Sequence, residues 1–414
     1  MNIKKPLKQL FQSNIEPPLA WSQLSHQKVR LLVAITGVCF ANILMFTQLG
    51  LLAMLTQGTT KLHESLGGDL VIISSFAQTL QFRINFPRAY LFQAAAVEGV
   101  ASANPVYITR ANWVNPKQLE KQQDTSDKKQ APRQRGLFGN EVRIIAINPA
   151  QPGILNIPSV NQQLEKITSA DSVLYDQLSQ PTLGDIPELF TQNQEVQTLM
   201  DNRRTYVIGL FSMGSTLFEK GNVVMSDWNY ALRYGANNLN QARIGVISLE
   251  KGADIKTVQT KLRAALPDDV VVLTRTELIQ RELQYQATEV NGVVLRFGTI
   301  VGFLVGVIII YQVLYTDISE HLSEYATLKA MGYADRALLL VVLQEGVILG
   351  VLGFIPGFIA SIGIYQLLVI LTRIPLTMQT SVALQVFVLT ILMCSVSGAI
   401  ATNKLRSADP ADVF

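Results

Sequence analysis

Three histidines, two cysteines and one glycine-flanked serine are the residues of this chain whose types could support catalysis. Their spacing does not support it. His26, His63 and His321 lie in separate segments, so the sequence offers no metal-binding cluster. Cys39 and Cys394 each fall inside a long apolar run, where a cysteine reads as a small apolar residue in a helix contact. Ser212 sits between Gly209 and Gly214, which is not the G-x-S-x-G spacing of a nucleophile elbow, and a strand-turn reading covers it. There is no G-x-x-x-x-G-K-[ST] phosphate loop, so any ATP would be bound by a partner. No catalytic, cofactor-binding or metal-binding residue is therefore expected.

The chemistry left is that of docking and helix contact. Asp317–Tyr333 reads DISEHLSEYATLKAMGY, a helix-prone stretch ending at Gly332 in which Asp317, Glu320 and Glu324 outnumber the basic residues. A partner surface for it would offer arginine or lysine. Gly298, Gly302 and Gly306 recur every four residues, and Gly346 and Gly350 repeat the spacing. Such stripes let a second helix approach closely, although glycine is also simply common in membrane helices. Glu345 is a candidate interfacial acid. It reads either as a functional ionisable group or as a carboxylate snorkelling to water. Glu277–Val290 is charged, has no Gly or Pro, and runs toward the next apolar stretch. It is expected to be a stalk with Arg281, Glu282 and Glu289 facing water and Thr56–Leu66 as its partner.

The elements that must carry these residues are four apolar runs around one polar block. Leu31–Leu55 has no charge across 25 residues, and Phe297–Thr316, Gly346–Thr372 and Ala383–Thr402 are equally clean. About 18 such residues suffice to cross ~30 Å of hydrocarbon as a helix. Between the first and second runs lie the 239 residues Thr56–Val294, with ordinary soluble composition and no cysteine. The expected fold is a membrane α-helical protein with four transmembrane helices and a large α+β extracytoplasmic domain between helices one and two. Mean hydropathy of +0.26 and 16% charged residues fit that mixture. A net charge of +3 is too mild to imply nucleic acid.

The segments divide as follows. Residues 1–30 form a cytoplasmic arm, 31–55 the first transmembrane helix, and 56–294 the external domain with an inserted subdomain near 115–204. Residues 295–316, 337–372 and 383–403 are the other transmembrane helices, 317–336 a cytoplasmic connection, and 404–414 a cytoplasmic tail. The third is expected as one helix kinked at Pro356, since Ala337–Thr372 would span ~54 Å at 1.5 Å per residue. Lys4, Lys5, Lys8, Lys28 and Arg30 before the first run, and Lys404 and Arg406 after the last, place both termini in the cytoplasm by the positive-inside rule. The first run starts too late and is too long for a cleaved signal peptide, and reads as a retained anchor. In the external block, Asp69–Ser74, Pro105–Val114, Glu141–Asn148, Thr205–Phe211, Asn222–Ser226, Arg243–Leu249 and Val270–Thr274 read as strands. Pro87–Glu98 and Asp254–Ala265 read as helices, the latter with Asp254 as N-cap. Gln118–Arg135 reads as a polar loop, and Ser159–Met200 as mixed structure.

The wording S-E-Y-A-T-L-K-A-M-G-Y, followed by Gln344-Glu345-Gly346 and later by Asp409-Pro410-Ala411, resembles the FtsX/MacB-like ABC transporter permeases. With Pro18–Arg30 (PLAWSQLSHQKVR) it is most similar to the cyanobacterial DevC subgroup. The resemblance implies a homodimeric permease in the inner membrane, working with a separate ABC ATPase subunit, a periplasmic membrane fusion protein and a TolC-like outer-membrane channel. It implies export of a lipid-like, glycolipid-class cargo by mechanotransmission, and no cofactor in this chain. Carried over, Glu320, Ser323, Glu324, Tyr325, Lys329, Ala330 and Gly332 would form the surface that docks on the ATPase. Many members have arginines where this chain has His321 and Ser323, a departure that favours a dedicated ATPase. Two other functions share the topology: regulation of cell-wall hydrolases in the manner of FtsX, and lipoprotein extraction.

The topology is directly testable. A cysteine introduced by Ser126→Cys should react with a membrane-impermeant maleimide on intact spheroplasts. Labelling only after lysis would reverse the assigned orientation.

Overall fold

A computed structural model describes residues 28–119, 140–193, 195–216, 218–324, 327, 331, 335–372 and 376–402. The chain divides into two compact units. One comprises Met1–Ala53, Val293–Ile370 and Leu376–Phe414; the other comprises Met54–Gly292 with Leu371–Pro375.

Among the described residues, four helices are long and apolar enough to cross a membrane. They are α1 (Lys28–Ser65), α8 (Val290–Glu320), α9 (Asp335–Thr372) and α10 (Thr380–Ala401). Each outruns or shifts from its apolar run, because the helical hydrogen-bond ladder continues into polar flanks that pack elsewhere. α9 is a single helix with Pro356 inside it. On α1, Ala34, Val38, Ala41, Met45 and Leu49 recur at steps of three and four, and all are buried. They pack with Ile310, Leu314 and Ile318 of α8, Val342 and Leu349 of α9, and Val386, Met393 and Cys394 of α10.

Small residues and sparse hydrogen bonds hold this bundle together. A Cβ on Gly302 would lie 3.3 Å from Leu44 Cβ and 3.4 Å from Met45 Cγ, and one on Gly298 would lie 2.7 Å from Gln48 Cδ. At Gly306 it would meet Ala41 Cβ at 2.9 Å and collide with the Met393 sulfur. The first glycine stripe thus faces α1 of the same chain, while Gly346 and Gly350 face Cys394 of α10. Thr390 Oγ1 donates to Asn42 Oδ1 at 2.6 Å, Ser397 Oγ to the Val307 carbonyl at 2.9 Å, and the Tyr365 hydroxyl to the Phe46 carbonyl. Polar groups in hydrocarbon are stable only with such partners. Glu345 is 1% exposed, so the snorkelling reading fails.

The second unit begins with β1 (Leu70–Ser74), β2 (Phe86–Pro87), α2 (Ala89–Ala95) and β3 (Val100–Asn112). It ends with β10 (Ile244–Leu249), α6 (Ile255–Ala265), β11 (Val270–Thr274) and α7 (Arg275–Thr288). β11, β1, β10 and the start of β3 pair antiparallel in that order, the split βαβ arrangement of ferredoxin-like folds. β3 then runs on. Val100–Val106 pairs with β10, whereas Tyr107–Asn112 pairs with β4 (Glu141–Ile147).

From there the sheet extends through an inserted half. Its elements are α3 (Pro158–Asn161), β5 (Ser172–Asp176), α4 (Ile186–Asn193), β6 (Val196–Met200), β7 (Arg203–Phe211), β8 (Gly221–Ser226), α5 (Asp227–Tyr234) and β9 (Gln241–Ala242). Among the described residues, nine strands make one sheet ordered β11-β1-β10-β3-β4-β8-β5-β7-β6, and β2 pairs with β9. The insertion is therefore longer than 115–204: β7, β8 and α5 also belong to it. The apolar run of β8 is buried on both faces and carries no sign of which half of a sheet it extends. The expected loop Gln118–Arg135 falls largely outside the described residues.

Alternation in β1 shows how the cores form. Leu70 and Ile72 face one cluster with Leu91, Val258 and Leu262, which belong to α2 and α6. Val71 and Ile73 face another that also holds Ile145, Leu174 and Val224 of the inserted half. Asp254 caps α6 by accepting from Thr257 N at 2.9 Å. Helix α2 is shorter than Pro87–Glu98 because Pro87 is engaged in the β2–β9 pair.

Gly302→Leu should overpack the α1–α8 contact and lower bundle stability by ~1–3 kcal/mol. In a Cys39→Ser background, the buried Cys394 thiol reports melting through maleimide labelling. An unchanged melting midpoint would show that this face tolerates a side chain.

Candidate functional site at the α8–α9 turn and the α1 hub

The turn between the second and third apolar helices begins inside α8, which continues through Asp317 to Glu320. Ile318 is buried in the bundle core and Leu322 packs against it. Asp317 is 5% exposed, with its carboxylate 3.7 Å from His321 Nδ1. It does not belong to an outward-facing acidic surface. Glu320, Ser323, Glu324, Thr327 and Met331 are exposed and recur at steps of one, three and four, which places them along one side of a helical turn. Thr327 Oγ1 donates to the Ser323 carbonyl at 2.8 Å and Met331 N to the Thr327 carbonyl at 3.0 Å. Tyr325, Lys329, Ala330 and Gly332 lie outside the described residues.

The other focus is the last turns of α1, which belong to the α+β unit. Three structures converge there. A Cβ on Gly58 would stand 3.4 Å from Thr216 Cβ, and Lys61 Nζ lies 2.5 Å from where a Cβ on Gly214 would sit. Gly214 has φ +101°, a conformation open mainly to glycine. Two buried carboxylates hold this 213–219 loop. Asp176 accepts from Met213 N at 3.0 Å, Gly214 N at 2.7 Å and Asn222 Nδ2 at 2.8 Å. Glu219 accepts from Arg143 Nη2 at 2.5 Å, Arg110 Nε at 2.9 Å and Thr216 Oγ1 at 2.6 Å. Burial alone would raise the Glu219 pKa, but Arg143, Thr216 and Arg110 together hold it below the usual range. At the helix end, Gly67 N donates to the Ile154 carbonyl at 2.8 Å and Asn156 N to the Ser65 carbonyl at 2.7 Å.

The third contact is with α7. His63 and Glu282 are 1% and 2% exposed, and His63 Nε2 lies 3.4 Å from Glu282 Oε2. Glu282 Oε1 accepts from Thr79 Oγ1 at 2.8 Å and Gln286 Nε2 at 3.1 Å. The reading of Glu282 as water-facing is overturned, and Arg281 and Glu289 are only half-buried. Nor does α7 run unbroken into α8. Glu289 adopts an extended conformation, and its carboxylate accepts from Val290 N at 3.1 Å. That bond serves the new helix start and ends the old one.

Comparison with known proteins bears on the bundle. Residues 296–410 match the family model described as FtsX-like permease C-terminal. The match takes in α8, the turn, α9 and α10. A comparison with curated proteins found no match. Among solved structures, the periplasmic region of MacB from Actinobacillus actinomycetemcomitans is similar at 11% identity and TM-score 0.33, over 52% of this chain and 92% of that one. The extracellular domain of the noncanonic ABC-type transporter YknZ from Gram-positive bacteria is similar at 11% identity and TM-score 0.31, over 50% and 98%.

Two helix starts in the α+β unit carry local sequence signals. Thr274 and Glu277 form a capping box at the start of α7, signalled by T-x-x-E. Ser226 caps α5 by accepting from Asn229 N, signalled by serine after a strand. The pairing of His63 with Glu282 had no local signal, because neither residue's neighbours point to the other.

The buried pair makes stability depend on acid. Burial raises the Glu282 pKa, but His63, Gln286 and Thr79 outweigh it and hold it below its ordinary 4.5. The folded state then binds this proton less readily than the unfolded one. The contribution is full above about pH 4.5 and fades as pH falls through the folded value. Glu282→Gln should cost about 1–3 kcal/mol near pH 6. The gap to the parent in urea midpoint, measured at pH 6 and again in acid below pH 4.5, should narrow as pH falls through the folded value. An equal gap at both pH values would show that the charge is not the stabiliser.

Proposed function

We propose that the chain is the membrane subunit of an ATP-driven ABC exporter that works by mechanotransmission. The match of residues 296–410 to the FtsX-like permease family carries this reading, because it takes in three apolar helices and the turn between two of them. The exposed row Glu320, Ser323, Glu324, Thr327 and Met331 supports it, as a surface that a partner can grip. Both termini and the turn lie in the cytoplasm, and the α+β unit lies in the periplasm. Two copies of the chain assemble with an ABC ATPase subunit that binds the ATP. A displacement of the turn moves α8, and the bundle contacts at Gly298, Gly302 and Gly306 carry it to α1. α1 continues without a break to Ser65, so the motion reaches both halves of the α+β unit. The unit then drives a lipid-like cargo toward a membrane fusion protein and a TolC-like outer-membrane channel.

Glu324→Lys tests this reading. The change puts like charges together at the ATPase contact, which can cost several kcal/mol. It should leave insertion and the α+β unit intact while reducing recovery of the ATPase on purified membranes and abolishing export. Equal ATPase recovery and equal export would remove this turn as the coupling element. Co-purification of a cell-wall hydrolase instead of a fusion protein would replace export with regulation.

A further inference from the structure

The α+β unit gathers arginines around the β2–β9 ribbon. Phe86 pairs with Ala242 and Pro87 with Gln241, so Arg83, Arg88 and Arg243 all flank one short two-stranded element. Arg243 N donates to the Val106 carbonyl at 3.1 Å and its Nη1 to the Phe82 carbonyl, which brings it beside Arg83. Arg110 follows four residues after Val106 on β3. Tyr230 of α5 lies within electrostatic reach of Arg243 and Arg83, its ring stacked on Tyr107 with centroids 5.4 Å apart.

The charges do not balance. Arg110 is matched by Glu219, which also takes Arg143. Arg88 lies near Asp227, and its guanidinium stands over the Phe92 ring, 5.6 Å from the centroid. Among the described residues, Arg83 and Arg243 have no carboxylate within ion-pair reach. Yet Arg243 is 4% exposed, and its Nε is buried with no hydrogen-bond partner. A guanidinium carries five donors, and burying one without a counter-charge is costly. Elsewhere in this unit the buried arginine Arg143 is given Glu219 as its counter-charge. Burial, then the charge of Arg83, with Arg110 adding to it and Tyr230 opposing, pushes Arg243 down to about 10. It remains a cation at neutral pH. Next to Arg83 in the chain, Phe82 is 47% exposed.

We propose that Arg83 and Arg243 form an oxyanion-binding site, in which a phosphate, sulfate or carboxylate group bridges the two guanidiniums beside Tyr230. Guanidinium suits this task because its planar fork matches two oxygens at once. The exposed ring of Phe82 gives an attached apolar chain a surface to lie on. The ligand chemistry is shared by a free oxyanion and by the headgroup of an anionic amphiphile.

The site does not depend on the transport reading and is tested without ATP or an ATPase. Full-length protein in nanodiscs of zwitterionic lipid is titrated calorimetrically, at fixed ionic strength, with inorganic phosphate, dihexanoyl phosphatidic acid and uncharged dihexanoylglycerol. Saturable binding of at least one anion is expected, with none of the uncharged compound. Arg83 is exposed, so Arg83→Ala should leave the fold intact and weaken binding ~10-fold or more, the loss of one charged hydrogen bond. Arg243→Gln should abolish binding, with circular dichroism reporting whether the variant is folded. Binding of both anions identifies a site for free oxyanions, and binding of phosphatidic acid alone identifies a headgroup site. Absence of saturable binding by either anion overturns the proposal, as does binding that Arg83→Ala leaves unchanged.

Discussion

An α-helix keeps its direction only while its hydrogen-bond ladder is unbroken, and α1 keeps it for 38 residues. At 1.5 Å per residue that is ~57 Å, well beyond the ~30 Å a bilayer core needs. Its first part buries a stripe of Ala34, Val38, Ala41, Met45 and Leu49 in the helix bundle. Its last turns are held by the 213–219 loop, by the 153–156 segment and by Glu282 of α7. The other chain crossing, from α7 to α8, is interrupted at Glu289. α1 thus contributes its first part to one unit and its last turns to the other.

Buried charge marks the joints that hold α1. Asp176, Glu219 and Glu282 are all nearly inaccessible, and each is held by at least one group far away in sequence. In a low-dielectric interior, a carboxylate satisfied in this way fixes its neighbours closely, while a displaced donor leaves an expensive vacancy. Loop 213–219 is tied at both ends by such groups, and α7 is tied to α1 by a third. Arg243 is the contrast. It has the burial of these carboxylates but, among the described residues, no carboxylate within ion-pair reach, and the proposed anion would answer that chemistry.

The sequence made the layout legible because hydropathy is averaged over whole helices. Leu31–Leu55 could hardly be anything but a span, and the strands at Glu141–Asn148 and Val270–Thr274 alternate or run apolar as strands do. Asp254 announced its helix because a cap acts within three residues. Contacts between distant segments left no such trace. Glu282 sits among charged neighbours on a helix that looks solvated, and only the fold brings His63 and Thr79 to it. Asp317 looked like part of an acidic surface until the continuation of α8 turned it inward. The glycine stripe was visible as spacing, but its partner, α1 of the same chain, was not. The true extent of the insertion was hidden for the same reason, since a strand's composition does not say which strand it joins.

The thirteen residues of β3 serve two neighbours, β10 along the first part and β4 along the second. The apolar cluster beneath them draws Val71, Ile73 and Val246 from one half and Ile145, Leu174 and Val224 from the other. Each half also holds a cluster of its own, yet this shared one is completed only when both are present. Cutting the inserted half out as a cassette for another scaffold would strip the cover from Ile145, Leu174 and Val224. Denaturation should melt the sheet as a single cooperative block. Natural variation on one side of β3 is correspondingly constrained by the residues on the other, so the two halves of this unit must evolve as one interior.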